Sequence, residues 1–230
     1  MIELISVHLP KTAGTSFRKI LQSHFGWRLL VLYGGFGSPG HFQKRLLRRP
    51  WIRAVHGHFP VKMFHDLNPT AKTVIWLRQP VERIISYYHF WLDLKPHGNL
   101  VHNRFLVEKP GLVEFAKQRR TEVSDYLSDY RLKDFDFVGT LDHFDDDLER
   151  FGRWLSGQAI RQSADPFSTL LRLSYALGRR TPQANRSRKR APISAEIREE
   201  LALILEEEMK IYSSAVNHRN AGRTAQGPDE

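Results

Sequence analysis

Residues 8–16 read HLPKTAGTS, and the fold follows from what surrounds this stretch. An apolar run at residues 2–7 leads into it, and an amphipathic run at residues 17–25 leaves it. Pro10 cannot donate to a sheet ladder, so a strand should stop there, and Gly14 lets the backbone approach a ligand closely. The pattern predicts a β-strand, a tight turn and an α-helix.

The turn in this stretch has the features of an anion-binding site. Thr15 or Ser16 can cap the helix that follows, and free N–H groups together with the helix dipole favour a negative charge at its N-terminus. The Lys11 ammonium and two hydroxyls add further donors. The sequence therefore predicts a turn that binds phosphate or sulfate. An ordinary strand-to-helix turn with a Ser or Thr cap is the alternative.

Length and composition indicate one globular domain. The chain has 230 residues, of which 41% are hydrophobic. We predict a single domain over residues 1–216, with an α/β core at 1–155 and a basic loop and C-terminal helix at 156–216. A disordered tail is expected at 217–230.

Charge and the missing residue types limit the ligands and the location. No apolar run approaches the ~20 residues of a membrane span, no signal peptide or anchor is visible, and a cytoplasmic location is the default. The lack of cysteine excludes disulfides and thiolate metal sites. The formal net charge of +10 attracts polyanions. Nucleic acid, an anionic polysaccharide or a multiply phosphorylated cofactor would each satisfy it.

Apolar runs alternate with helical patterns along the chain. Strands are predicted at residues 27–33, 51–56, 72–77 and 135–138, and helices at 42–49, 81–94, 111–130, 144–155 and 194–216. This alternation predicts the α/β class, with a P-loop-like parallel sheet flanked by helices on both faces and a more helical C-terminal half. Ligands of such sheets bind outside the carboxyl ends of the strands. Four candidate site residues fall at these ends: Lys11, His56, His58 and Arg78.

Residues 78–88, RQPVERIISYY, form a second candidate anion site. The guanidinium of Arg78 is a planar fork of donors that fits phosphate. Ser86 lies two turns along the following helix and could share the same anion. A surface arginine and a helix-packing serine are the alternative, and Arg83 is expected to be a helix-surface charge.

His56-Gly57-His58 ends the third strand and is a candidate for acid–base chemistry. A neutral imidazole near pH 7 is a suitable general base for a hydroxyl group. Two alternatives remain open: a packed, hydrogen-bonded histidine, and a zinc site, for which no third ligand is evident.

These motifs resemble those of sulfotransferases that use 3′-phosphoadenosine-5′-phosphosulfate (PAPS). The order PKTAGTS at residues 10–16 resembles the family's 5′-phosphosulfate loop, and RxPxxR followed by SYY at 78–88 looks like its 3′-phosphate motif. Together with VHGHF at 55–59, the chain is similar to the heparan sulfate and uronyl 2-O-sulfotransferases of the Golgi-type carbohydrate family. The resemblance is strong over residues 5–91, faint over residues 120–155 and weak again at residues 185–187.

The resemblance implies roles for individual residues. The 5′ end of the cofactor is expected at Lys11, Thr12, Ala13, Gly14, Thr15 and Ser16, and its 3′-phosphate at Arg78 and Ser86. Arg186 and Ser187 look like a loop that closes on the 3′-phosphate end, although a basic linker fits them equally well. His58 is expected to be the general base with His56 in support, and Lys11 to stabilise developing charge.

The resemblance also implies partners and limits. The cofactor is PAPS with PAP as product, no metal is needed, and the acceptor is a hydroxyl compound, by analogy a carbohydrate, rather than nucleic acid. Golgi members carry a membrane anchor and often disulfides, neither of which is visible here. A bacterial, cytoplasmic relative is therefore expected, and the heparan-type substrate is not carried over. The oligomeric state is not predicted.

Two other classes of protein would explain part of the sequence. A metal-dependent kinase or NTPase would use a P-loop, but that motif places its lysine directly after the last glycine, whereas Lys11 precedes Gly14. Such enzymes also commonly end a later strand in a Mg²⁺-binding aspartate, where this chain has Arg78. A non-catalytic module that binds polyanions or nucleic acid would explain the charge, but not why the candidate residues fall at strand ends.

Overall fold

The computed structural model describes residues 1–33, 49–158, 160 and 191–224. Five strands form one parallel sheet: β1 (Leu4–Val7), β2 (Leu29–Leu32), β3 (Ala54–Gly57), β4 (Lys72–Leu77) and β5 (Phe137–Thr140). Their order across the sheet is β2-β3-β1-β4-β5. This confirms the predicted α/β class with a parallel sheet.

Helices occupy most of the remaining described chain. They are α1 (Gly14–Phe25), α2 (Lys62–His65), α3 (Pro80–Asp93), α4 (Leu100–Glu108), α5 (Leu112–Arg119), α6 (Glu122–Leu127), α7 (Phe144–Ser156), α8 (Ala195–Ile204) and α9 (Glu206–Thr224). Short 3₁₀ turns lie at Gly26–Arg28, Leu132–Asp134 and Leu141–His143.

The register brings the carboxyl ends of the central strands to one edge of the sheet. Val7 at the end of β1 pairs with Gly57 of β3 on one side and with Ile75 of β4 on the other. The chain passes from β1 to one half of the sheet and later returns to the other half, so β1 stands where the strand order reverses. Ligands of open parallel sheets bind in the crevice at such a point.

Apolar side chains cover both faces of the strands. Leu4 and Trp76 pack with Phe17 of α1 and Phe151 of α7 in one cluster, and each is at most 2% exposed. Residues that alternate with these along each strand point to the opposite face of the sheet. There Ile5, for example, is completely buried. The continuous apolar runs of the strands thus reflect burial on two faces.

The chain divides into two compact units. The first comprises the described parts of residues 1–77 and 125–184, and holds the sheet; the second comprises those of 78–124 and 185–230. The second unit has a core of its own, in which Ile84 and Trp91 of α3 pack with Phe115 of α5 and Leu201 of α8.

The prediction that Arg83 is a surface charge is wrong. Arg83 is completely buried in the second unit, where its Nε and Nη2 donate to the two carboxylate oxygens of Glu208 at 2.6 and 2.8 Å. Its Nη1 donates to Glu122 Oε2 at 2.9 Å. The sequence could not reveal this pair, because Glu208 is 125 residues away and belongs to α9.

The C-terminal prediction also changes. Ser194 caps a helix as expected, its Oγ accepting from the Ile197 amide at 3.4 Å, but that helix ends at Ile204. A second helix then runs to Thr224, so residues 217–224 are helical where a disordered tail was predicted. The predicted helix at 42–49 lies outside the described residues except for its last position, and Arg186 and Ser187 lie outside them altogether.

Candidate functional site

The turn between β1 and α1 has an unusual backbone. Lys11 and Ala13 both adopt positive φ angles, of 70° and 59°. Ala13 is the N-cap residue without a side-chain hydrogen bond, so the predicted cap by Thr15 or Ser16 is wrong. The Ala13 carbonyl instead accepts from the Ser16 and Phe17 amides at 2.9 and 3.0 Å. Left-handed conformations in residues with a Cβ are strained, and strain of this kind concentrates at ligand-binding turns.

Hydrogen bonds hold the turn in this shape. Thr12 is completely buried and its Oγ1 donates to the Leu9 carbonyl at 2.9 Å, so its hydroxyl is committed to the turn. The amides of Gly14 and Thr15 lie in the first turn of α1, where helix geometry leaves N–H groups without partners in the helix. With the dipole of α1 and the Lys11 ammonium, they form an N-terminus suited to an anion.

His8 lies over the turn between β1 and α1. A Cβ at Gly14 would lie 1.9 Å from Nε2 and 2.0 Å from Cε1 of His8, so only glycine fits beneath the His8 ring. His8 is not among the site residues predicted from the sequence. A sequence signal existed, because His8 directly follows the apolar run at residues 2–7 and so lies at the predicted carboxyl end of the first strand.

Three histidines and one tyrosine form a cluster beside the turn, which we call the histidine cluster: His8, Tyr33, His56 and His58. The rings of His8 and His56 stack with centroids 5.3 Å apart, and His8 meets His58 edge-on at 4.7 Å. Tyr33 meets the His58 ring edge-on at 5.0 Å. Tyr33 is the second residue that sequence reasoning missed, although it directly follows β2 and so lies at the carboxyl edge of the sheet.

The two histidines of the His-Gly-His motif differ in their hydrogen bonds. His56 has partners on both ring nitrogens: Ser6 Oγ lies 2.9 Å from Nδ1, and the Tyr33 hydroxyl lies 2.9 Å from Nε2. In contrast, Nε2 of His58 and Nδ1 of His8 are buried and have no hydrogen-bond partner among the residues that the structure describes. His56 is therefore fixed in position, whereas His58 has a nitrogen that can accept a proton from a ligand.

Burial keeps the imidazoles neutral. Desolvation lowers the pKa of His58 to about 4 and that of His56 to about 3, and it lowers the pKa of His8 well below its ordinary value. All three rings are therefore unprotonated at pH 7. Burial raises the pKa of Tyr33 to about 12, so its hydroxyl keeps its proton.

The residues of the second candidate anion motif belong to the second unit. Arg78 directly follows β4 and is partly exposed, and Ser86 is buried two turns into α3. The helix begins with Pro80 at its first turn, and Gln79 caps it, with Oε1 accepting from the Glu82 amide at 2.8 Å. Arg78 and Ser86 therefore belong to the second unit, whereas the turn between β1 and α1 and the histidine cluster belong to the first.

The described residues offer neither a preformed metal site nor a membrane-spanning helix. They contain no group of three or more His, Cys, Asp or Glu side chains placed to hold a metal ion. Within the same residues, no helix combines the length and the apolar character that crossing a membrane requires.

Comparison with known proteins gave one family match. The model of a family described as Sulfotransferase domain matches residues 12–137, more than half of the chain. No curated protein matched the chain.

Among the solved structures that are similar to this chain, two sulfotransferases share little sequence with it. A mouse sulfotransferase, SULT7A1, complexed with PAP is 14% identical, with 81% of this chain and 68% of that one covered and a TM-score of 0.42. A sulfotransferase from Alicyclobacillus acidocaldarius is 15% identical, with 94% and 96% covered and a TM-score of 0.47.

Proposed function

Because the chain belongs to the sulfotransferase family, we propose that it transfers a sulfuryl group from PAPS to a hydroxyl acceptor, with His58 as general base. One observation supports this most: the buried Nε2 of His58, unpartnered among the described residues, on a neutral ring beside the strained turn. A purely structural histidine of this burial would be expected to have its polar atoms paired.

The residues of the turn fit the phosphosulfate end of PAPS. Gly14 allows the backbone to come close, the first-turn amides of α1 are donors, and Lys11 supplies a positive charge. Thr12 contributes through its backbone, because its hydroxyl is bonded to Leu9. Thr15, half-buried on the first turn of α1, offers a hydroxyl, while Ser16 and Ala13 shape the turn.

The 3′-phosphate is assigned to Arg78 and Ser86, with Arg186 and Ser187 as further ligands. This part of the proposal is supported by the RxPxxR-SYY pattern and by the donor chemistry of arginine. A 3′-phosphate site of this kind would select PAPS over adenosine 5′-phosphosulfate.

The proposed chemistry is an in-line displacement. Bound PAPS supplies the sulfuryl group: the acceptor oxygen forms a bond to sulfur, the bond from sulfur to the phosphate oxygen breaks, and PAP leaves. His58 Nε2 accepts the proton of the acceptor hydroxyl. Lys11 and the first-turn amides stabilise negative charge that develops on the transferred and leaving oxygens. Because Lys11 and Arg78 supply the positive charge, we propose that no metal ion takes part.

His58 is preferred to His56 as the base because of their partners. Both nitrogens of His56 are already bonded, to Ser6 and Tyr33. His56 therefore supports the base by holding the cluster together. The acceptor is proposed to be a carbohydrate hydroxyl and the protein a member of the Golgi-type group, and the motifs at residues 55–59 and 78–88 support this part of the proposal. A bacterial origin and a cytoplasmic location are also proposed, but these motifs do not bear on them.

A thermal-shift titration with PAP, ATP–Mg²⁺ and adenosine 5′-phosphosulfate tests the cofactor. A ligand at 100 times its dissociation constant adds about 2.7 kcal/mol of stability, so a shift with PAP alone is expected. A shift with ATP–Mg²⁺ alone would indicate a kinase or NTPase. No shift with any of them, combined with salt-sensitive binding of DNA, RNA or heparin, would indicate a polyanion-binding module.

Two variants test the assigned roles. His58→Ala should lower turnover about 10²–10⁴-fold, the usual contribution of a positioned base, and leave PAP affinity nearly unchanged. His97→Ala, which removes an exposed histidine, is the matched control and should behave as wild type. Arg78→Ala should weaken PAP binding. Retained turnover in His58→Ala, or undiminished PAP binding in Arg78→Ala, would contradict the corresponding role.

A further inference from the structure

Among the residues that the structure describes, Arg18 on α1 has no carboxylate as a counter-ion. It forms no ion pair or hydrogen bond with any residue that the structure describes, and its Nε is buried without a partner. Two other half-buried arginines of the first unit, in contrast, are paired with a carboxylate. Nη1 of Arg53 lies 2.9 Å from Oε1 of Glu3, and Nη2 of Arg150 lies 3.4 Å from Oδ1 of Asp147. A half-buried guanidinium that lacks a carboxylate is a candidate for binding an anionic ligand.

The guanidinium of Arg18 lies beside the histidine cluster. Its Cζ is 5.7 Å from the centroid of the Tyr33 ring, and the Tyr33 hydroxyl is bonded to His56. The Tyr33 ring also meets the His58 ring edge-on, with the two centroids 5.0 Å apart. Tyr33 is 37% exposed, so a ligand can reach the cluster across this ring.

The charges around the cluster favour an anion. The charged groups that act on His8, besides the neighbouring imidazoles, are the cations Arg18 and Lys11, and both lower its pKa further. A ligand that brings a negative charge would relieve the repulsion between these cations. The neutral rings of the cluster neither repel such a ligand nor neutralise its negative charge.

We propose that Arg18 binds an anionic substituent of the acceptor, a carboxylate or a sulfate ester, and so makes the enzyme select acidic hydroxyl compounds. This rests on the proposed function, because it takes the acceptor hydroxyl to lie at His58. An acceptor lying against Tyr33 would have its hydroxyl at His58 and a neighbouring substituent at Arg18. The cofactor's anion is assigned elsewhere, to the N-terminal turn of α1, one helical turn before Arg18.

Matched pairs of probes test this on the full chain saturated with PAP. The pairs are methyl β-glucuronide with methyl β-glucoside, and 4-hydroxyphenylacetate with its methyl ester; in each pair one member lacks the negative charge. Calorimetric titration should show tighter binding of the charged member in at least one pair. Arg18→Gln should weaken that binding about 10- to 100-fold, the usual effect of losing a hydrogen bond to a charged group, and leave the neutral member unchanged.

Arg28→Gln is the matched control, because Arg28 also stands over an aromatic ring, that of Trp27, at 5.6 Å. Arg28 precedes β2, whereas Tyr33 follows that strand. The Arg28→Gln variant should therefore bind both members of each pair as the wild type does. Equal binding of the two members in both pairs, no binding of either, or charged-member affinity retained in Arg18→Gln would overturn the proposal.

PAP binding separates the two hypotheses. If PAP binds wild type and Arg18→Gln alike but no charged probe is preferred, only the role of Arg18 fails. If PAP affinity falls in Arg18→Gln, the residue belongs to the cofactor site and its assignment to the acceptor is wrong. If PAP does not bind the wild type, the proposed function fails and the acceptor assignment falls with it.

Discussion

Gly14→Ala is the change that the structure predicts most sharply. The added Cβ would stand 1.9 Å from Nε2 of His8, against the 3.4 Å at which ordinary contacts begin, so the ring must withdraw by about 1.5 Å. His8 is only 8% exposed and stacks on His56, so it has little room to do so. Overpacking of this kind costs about 1–3 kcal/mol of stability. We expect that loss together with weaker PAP binding, because the turn or the histidine cluster must shift.

A double-mutant cycle isolates this contact. When His8→Ala has removed the ring, Gly14→Ala should be neutral or should stabilise the protein by up to about 1 kcal/mol, since alanine is the better helix former. The effect of one substitution thus changes sign with the residue at position 8. Urea denaturation of the four proteins measures the unfolding free energies, and thermal shift measures PAP binding. An equal cost of Gly14→Ala in both backgrounds would refute the reasoning, because the clash would then not be with His8.

Three other predictions follow from buried polar groups. Arg83→Met should cost about 3–5 kcal/mol of unfolding free energy because it leaves the Glu208 carboxylate buried and unpaired. Arg104→Met, which removes a solvent-exposed ion pair, should leave the stability nearly unchanged. Chemical denaturation of both variants would show whether burial makes the difference. Burial lowers the pKa of His58 from 6.5 to about 4, so the unfolded chain takes up the proton first as the pH falls. Between these values the unfolding free energy should drop by up to about 1.4 kcal/mol per pH unit, and His58→Gln should show a flatter dependence in the same denaturation series. Tyr33→Phe removes a hydroxyl bonded to a buried imidazole and should cost about 1–3 kcal/mol, and unchanged stability would show that this hydrogen bond is dispensable.

The sheet could be predicted because its signals are local. The run at residues 73–77 is apolar without interruption, as a strand buried on two faces requires, and β4 covers it. Pro80 marks the start of α3, because proline suits the first turn of a helix. Alternating strands and helices then leave a parallel sheet as the arrangement that buries both faces.

The histidine cluster could be predicted only in part. His56 and His58 stand out because they are only two residues apart at a strand end. His8 and Tyr33 complete the cluster from positions that directly follow two other strands, and neither belongs to a paired motif such as His56-Gly57-His58. Their roles depend on side-chain contacts across the sheet, which a single sequence does not record.

The sequence by itself determined the order of the elements and the residue types at the carboxyl edge of the sheet. Hydrophobic periodicity and the properties of proline and glycine act within a few residues, so they can be read along the chain. The tertiary structure decided which of these side chains are paired: His56 is bonded on both sides while His58 Nε2 is not, Arg83 is buried against Glu208, and Arg18 has no carboxylate among the described residues. Desolvation and hydrogen bonding depend on neighbours that are distant in sequence, and these neighbours decide whether a given polar residue supports the fold or is left available to a ligand.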